Sequence, residues 1–255
     1  MIADPWFYVA ALPAVLLVGM AKGGFGGPIA LLGVPLMSLV IPPVQAAGIM
    51  LPILVVMDIV GLWAYRGIYH WPTLRVMLPG ALVGIAIGWA TAAFVTEAHV
   101  RLIVGVIAVA FTLNNWFGLR PRAGAEIAAR DPGRLAGGVW GAVSGFTSFV
   151  SHAGGPPFNM YTLPLRLDPK LLAGTAVIFF TIVNQVKLIP YYLLGQFSGE
   201  NLSTSAVLLP VAVLAVWLGV ILVRKVEPAQ FYRIMYAAVF VVGLKLTADG
   251  MAALL

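Results

Sequence analysis

Two stretches decide the fold: Lys22-Gly23-Gly24-Phe25-Gly26-Gly27-Pro28 and Ser151-His152-Ala153-Gly154-Gly155-Pro156-Pro157. Each interrupts a long apolar run. Glycine is costly inside a helix and proline removes a backbone donor, so neither stretch continues a helix easily. Residues 5–21 are apolar before the first break, and 29–41 form a short run after it, closed by Pro42-Pro43. Residues 135–150 precede the second break and 158–165 follow it. As helices the short runs rise at most roughly 20 Å, whereas a bilayer crossing takes about 20 residues. Each break therefore predicts the tip of a re-entrant helical hairpin, spanning 5–41 and 135–165.

Outward from the breaks, three long apolar runs follow each hairpin. They are 44–65, 73–95 and 100–119 in the first half, and 171–194, 202–223 and 231–248 in the second. Residues 120–134 are the one extended polar stretch. The 255 residues are 61% hydrophobic and 9% charged, against roughly 25% charged in a soluble domain. That composition excludes a soluble fold and makes the lipid bilayer the solvent. With no cysteine, disulfides and thiolate chemistry are excluded. The net charge of +6 lies in short gaps between apolar runs, which reads as loop charge and not as a nucleic-acid surface. Residues 1–6 lack the basic start of a signal peptide and carry Asp4, which suits an end facing away from the cytoplasm.

The halves resemble each other at a shift of about 126 to 132 residues. Gly26-Gly27-Pro28 matches Gly154-Gly155-Pro156, and Pro42 matches Pro169. Gly67 matches Gly195, and Pro79 matches Pro210. The order of break, short run, corner and three long runs recurs whole, giving a first repeat 1–119, a linker 120–134 and a second repeat 135–255. Basic residues mark the gaps with Arg66 and Arg75, with Arg120, Arg122, Arg130 and Arg134, with Arg166 and Lys170, and with Arg224 and Lys225. The positive-inside rule puts these gaps in the cytoplasm and both termini outside. Each half then makes an odd number of crossings, so the second copy enters inverted. The expected fold class is an all-α polytopic membrane protein of two inverted repeats, as a monomer or homodimer.

Inverted repeats with paired helix breaks are the usual architecture of secondary transporters. Unwound backbone in lipid must face protein or a polar cavity, and the short helix after each break aims its positive dipole end at the midplane. Glycines let an anion approach the freed amides. Gly23, Gly24, Gly26, Gly27, Gly154 and Gly155, with Lys22, Ser151 and His152, are the candidate binding residues at the breaks. The rival role for the glycines is tight helix packing. Polar groups inside apolar runs mark function by their cost. Asp58 lies in one such run, and Asn184, Gln185 and Lys187 lie at the matching depth of the other. Asp58 is a candidate for proton coupling or a partner for Lys187. Lys22 attracts an anion or snorkels to an interface, and His152 titrates or serves as a structural donor. Lys245 and Asp249 read as an interface pair, and Asn114 and Asn115 as backbone caps. His70, His99 and His152 lack metal-ligand spacing, so no metal and no cofactor is expected. Ser144 in Gly141-Ala142-Val143-Ser144-Gly145 lacks a histidine arrangement for hydrolysis.

The first break, followed by Val34-Pro35 and Pro42-Pro43-Val44-Gln45-Ala46-Ala47, resembles the first motif of the TauE/SafE sulfite exporter family, also called the toluene sulfonate uptake permease family. His152-Ala153-Gly154-Gly155-Pro156-Pro157, through Ala173-Gly174-Thr175-Ala176, is similar to its second motif. The resemblance covers about 18–250. It implies transport of sulfite, thiosulfate, sulfonates or similar small anions. Where members often carry a polar Thr-Ser pair after the proline corner, this chain has Gly48-Ile49-Met50, while Gly174-Thr175-Ala176 keeps one hydroxyl. The expected function is a secondary transporter of a small sulfur-containing anion, by alternating access around a midplane site, and not an enzyme. The alternatives are an anion channel of the same architecture or a non-transporting membrane assembly protein.

Overall fold

The computed structural model describes residues 1–25, 30, 32–91, 97–117 and 132–254. The described residues form helices joined by short turns and irregular segments, without strands. The helices are α1 (Pro5–Met20), α2 (Gly33–Met37), α3 (Pro43–Ala64), α4 (Trp71–Ala90), α5 (Glu97–Phe117), α6 (Arg134–Ser151), α7 (Gly155–Thr162), α8 (Pro169–Leu193), α9 (Gly199–Lys225) and α10 (Pro228–Ala252). The proline corners begin helices: Pro43, Pro169 and Pro228 stand at first positions, where no amide partner is lost. Asp168 caps α8 by accepting from the Lys170 amide at 2.9 Å, and Ser198 caps α9 by accepting from the Asn201 amide at 3.1 Å.

Among the described residues, six segments are long and apolar enough to cross a membrane: Pro5–Gly24, Val44–Ala64, Trp71–Ala90, Pro169–Leu193, Gly199–Lys225 and Ala229–Ala252. The chain is a multi-pass membrane protein. Its short runs behave as their length dictates. α7 has eight residues and so rises roughly 12 Å, and α2 has five. Each packs back on the long helix before it, α2 on α1 and α7 on α6.

The breaks interrupt the helices where glycine and polar residues gather. α1 runs into a π turn at Ala21–Phe25, and Gly24 ends it with φ 147°, a conformation open to glycine. α6 ends at His152, which is left-handed at φ 53°. The freed carbonyls of the second break find hydroxyls. Ser144 donates to Gly154 O at 2.7 Å, and Thr147 donates to Ala153 O at 3.1 Å. Ser144 thus holds backbone in place of water, as lipid burial demands.

Helix pairs follow the small residues. α4 packs on α6 and α1 on α9, while α3 packs on α8 and α5 on α10. A Cβ on Gly145 would collide with the Ala81 carbonyl, and one on Gly19 would lie 3.2 Å from the Ala212 carbonyl. Small residues permit this approach where apolar burial supplies no drive between helices. Contacts recur along the chain. Tyr65 donates to Gly23 O at 2.6 Å, and Tyr191, 126 residues on, donates at 3.2 Å to Phe149 O, likewise 126 residues on. Gly67 and Gly195 both turn with positive φ, at 77° and 69°.

Candidate functional site

A cavity of about 60 Å³ lies among the π turn, α3, α6 and α8. One water needs roughly 10–15 Å³ of such space, so the cavity suits a solute of a few heavy atoms. Its polar wall is Lys22, Asp58, Ser148, His152 and Asn184, with Gly24 and Gly155 contributed by the two breaks. The rest is apolar, including Met50, Leu54, Met57 and Phe180.

Each polar side chain arrives there for a local reason. The π turn directs Lys22 inward, where its ammonium pairs with the Asp58 carboxylate and lies 6.0 Å from the Phe180 ring centre. Asp58 is central in α3 and almost fully buried, at 2% side-chain exposure. Its second oxygen accepts from Asn184 Nδ2 at 2.7 Å, across a separation of 126 residues. Both carboxylate oxygens are therefore engaged, as a buried acid requires. The expected approach of Asp58 and Asn184 is present. The expected pairing of Asp58 with Lys187 is not, because the break carries Lys22 into that position first. The remaining role for Lys187 is different. Its side chain, 0% exposed, turns toward α6, where Nζ lies 3.0 Å from Ser148 O, 3.1 Å from Ser148 Oγ and 3.1 Å from His152 Nδ1. Lys187 thus sits behind the cavity wall formed by Ser148 and His152.

The other candidates separate. Gln185 is on the exposed face of α8, away from the cavity. Ser151 Oγ bonds back to Thr147 O at 3.3 Å and spends its hydroxyl on its own helix. Gly23 packs against Val216 and Gly219 of α9, and Gly154 against Ser144 and Ser148. Gly26 and Gly27 lie outside the described residues, as do Arg120, Arg122 and Arg130 and the side chains of Asn114 and Asn115. Lys245 and Asp249 pair at 2.6 Å near the end of α10, with half-exposed side chains. Ser148, Tyr65 and Tyr191 escaped the sequence argument. The signal for the tyrosines was their 126-residue spacing, which matches that of Asp58 and Asn184.

A family model described as sulfite exporter TauE/SafE matches residues 11–246. The chain belongs to the TauE/SafE sulfite exporter family. Comparison with curated proteins and with solved structures gives no match. TauE/SafE proteins are membrane transporters and not enzymes. Among the described residues no cluster of histidine and acid side chains is arranged to hold a metal.

Proposed function

We propose that this TauE/SafE protein carries a small sulfur-containing monoanion across a bacterial inner membrane, by alternating access around the cavity between the two breaks. The observation that carries this is charge. Two lysines, the partly buried Lys22 and the fully buried Lys187, stand near one buried carboxylate, Asp58, among the described residues. With both lysines charged, the site holds one positive charge that no described group balances, and an anion supplies the balance. Lys22, Ser148, Asn184 and the Gly155 end of α7 contact the solute, while Asp58 holds Lys22. α7 begins at Gly155, and a helix start favours negative charge.

The supporting architecture is an inverted repeat, 1–119 and 135–255, with 120–134 in the cytoplasm and both termini outside. The recurring contacts are its support. Tyr65 to Gly23 repeats as Tyr191 to Phe149, Gly145 against Ala81 repeats as Gly19 against Ala212, and Asp58 meets its own counterpart Asn184. Two such halves rock about the site they share.

A thermal-shift series on the purified protein tests the anion site. Sulfite, thiosulfate, a short sulfonate and acetate are compared with an uncharged sulfone. An anion at 100 times its Kd stabilises by about 2.7 kcal/mol, so a sulfur oxyanion raises Tm and the sulfone does not. Lys22→Gln removes the shift. A flat series across all anions overturns the proposal.

A further inference from the structure

The Lys187 ammonium is buried with three acceptors and, among the described residues, no carboxylate paired with it. Ser148 O, Ser148 Oγ and His152 Nδ1 lie at 3.0, 3.1 and 3.1 Å, one for each ammonium proton. An ammonium only donates, so His152 Nδ1 accepts and the ring proton sits on Nε2. Nε2 faces the Tyr191 hydroxyl at 3.2 Å, and that hydroxyl faces Phe149 O at 3.2 Å. One direction of donation runs from Lys187 to His152, from His152 to Tyr191 and from Tyr191 to the carbonyl, with the Ala47 backbone as a further partner of the His152 ring. His152 opens on the cavity. Tyr191 stands one helical turn beyond Lys187, two residues before the end of α8, where its carbonyl accepts from Gln196 N at 3.0 Å.

From this geometry we infer that Lys187 binds the proton that accompanies each anion, and that His152 and Tyr191 pass it to water at the α8–α9 turn. The inference rests on the anion-carrier function above. The charged and titratable groups facing Lys187 are Lys22 from the π turn, Asp58 from α3 and His152 from the end of α6, and Tyr191 of α8 stands behind His152. Lys22 repels the charge on Lys187. Asp58 attracts it, but its carboxylate is already engaged by Lys22 and Asn184. A bound anion favours protonated Lys187, and by reciprocity protonated Lys187 favours the anion. When the anion leaves, the proton leaves too. Lys187 gives one proton to His152 Nδ1, Nε2 gives one to the Tyr191 oxygen, and Tyr191, which keeps 6% of its surface exposed, turns its own proton away from Phe149 O to water. Lys187 ends neutral, each relay group is restored in number of protons, and one proton has moved with one monoanion.

The two halves separate this role from a structural one. The bond from tyrosine to break carbonyl occurs in both. Lys187, however, matches Gly61 at the 126-residue offset, and Gly23 to Gly26 is two residues shorter than Phe149 to Gly154. The first half has neither the lysine nor a counterpart of His152, yet makes the same tyrosine bond. The Lys187–His152 pair is an addition that the break does not need.

Proteoliposomes with labelled sulfite give the test, with protein-free vesicles subtracted for leak. For one proton per monoanion, a gradient of one pH unit supports about tenfold accumulation toward the alkaline side. Sulfite–sulfite exchange without a gradient is measured on the same vesicles, and Tm confirms folding of each variant. The ratio of pH-driven accumulation to exchange should fall about tenfold in Lys187→Met and in Tyr191→Phe, and should stay at the wild-type value in Tyr65→Phe. A wild-type ratio in Lys187→Met, or equal changes in Tyr191→Phe and Tyr65→Phe, overturns the relay. Exchange by the wild type without pH-driven accumulation overturns the relay and leaves the anion site standing. Absence of any sulfite exchange removes both.

Discussion

Lys22 and Asp58 form the ion pair of the site, and the burial of Asp58 makes the two residues depend on each other. A buried pair is weak evidence of net stability, but removing one partner strands the other. Asp58→Asn should therefore destabilise the protein by roughly 3–5 kcal/mol, read as a fall in Tm in detergent. Lys22→Met with Asp58→Leu should recover most of that loss while abolishing anion binding, since the two positions touch and do not add. Equal Tm losses in the single and double variants would show that the pair matters little to folding. The residue scale is also where the sequence was least legible. Periodicity placed Asp58, Asn184 and Lys187 at one depth, and the contact of Asp58 with Asn184 follows from that. Which lysine Asp58 meets does not follow, because it depends on how the π turn at Gly24 rotates Lys22. Gln185 shares Asn184's depth but not its helix face, and depth alone cannot tell neighbours apart. Ser148 gave no signal, since a serine on a glycine-rich helix is common.

At the scale of the helices, glycine spacing sets which pairs cross closely. A side chain on Gly141 would strike the Met77 carbonyl across the α4–α6 crossing, while one on Gly138 would meet nothing within 4 Å. Gly141→Ala should cost about 1–3 kcal/mol by overpacking. Gly138→Ala, one turn earlier on the same helix, should be neutral or gain up to about 1 kcal/mol from reduced backbone freedom. Melting curves of the two single variants decide it, and equal losses would mean that helix content and not the crossing is at stake. At the break, Gly154→Leu should abolish sulfite uptake or export with membrane insertion intact, because the added Cβ alone would lie 2.8 Å from Ser144 O and 2.9 Å from Ser148 Cβ. Normal flux would leave the second break as packing only. The elements themselves were well marked in the sequence. Proline corners began α3 and α8, and the runs at 29–41 and 158–165 became short helices because apolar length limits them. Their ends shifted by a few residues, since caps such as Asp168 lie outside any apolar count.

For the whole molecule, orientation is the property that geometry leaves to charge. The helices pack alike whichever side faces the cytoplasm, but loop charge breaks the tie. The region 120–134 has Arg120, Arg122, Arg130 and Arg134, and the gaps with Arg66 and Arg75, with Arg166 and Lys170, and with Arg224 and Lys225 fall on the same side if each half crosses an odd number of times. Glu97 and Glu200 then face outward, and so does the α8–α9 turn where Tyr191 ends the relay. The absence of cysteine makes the test clean, because any thiol signal comes from the introduced residue. Glu126→Cys should resist an impermeant maleimide in intact cells and react after permeabilisation, whereas Glu200→Cys should react in both. Labelling of Glu126→Cys in intact cells would invert the topology. The proton relay would then open on the cytoplasmic side, and pH-driven accumulation would have to be sought with the gradient reversed.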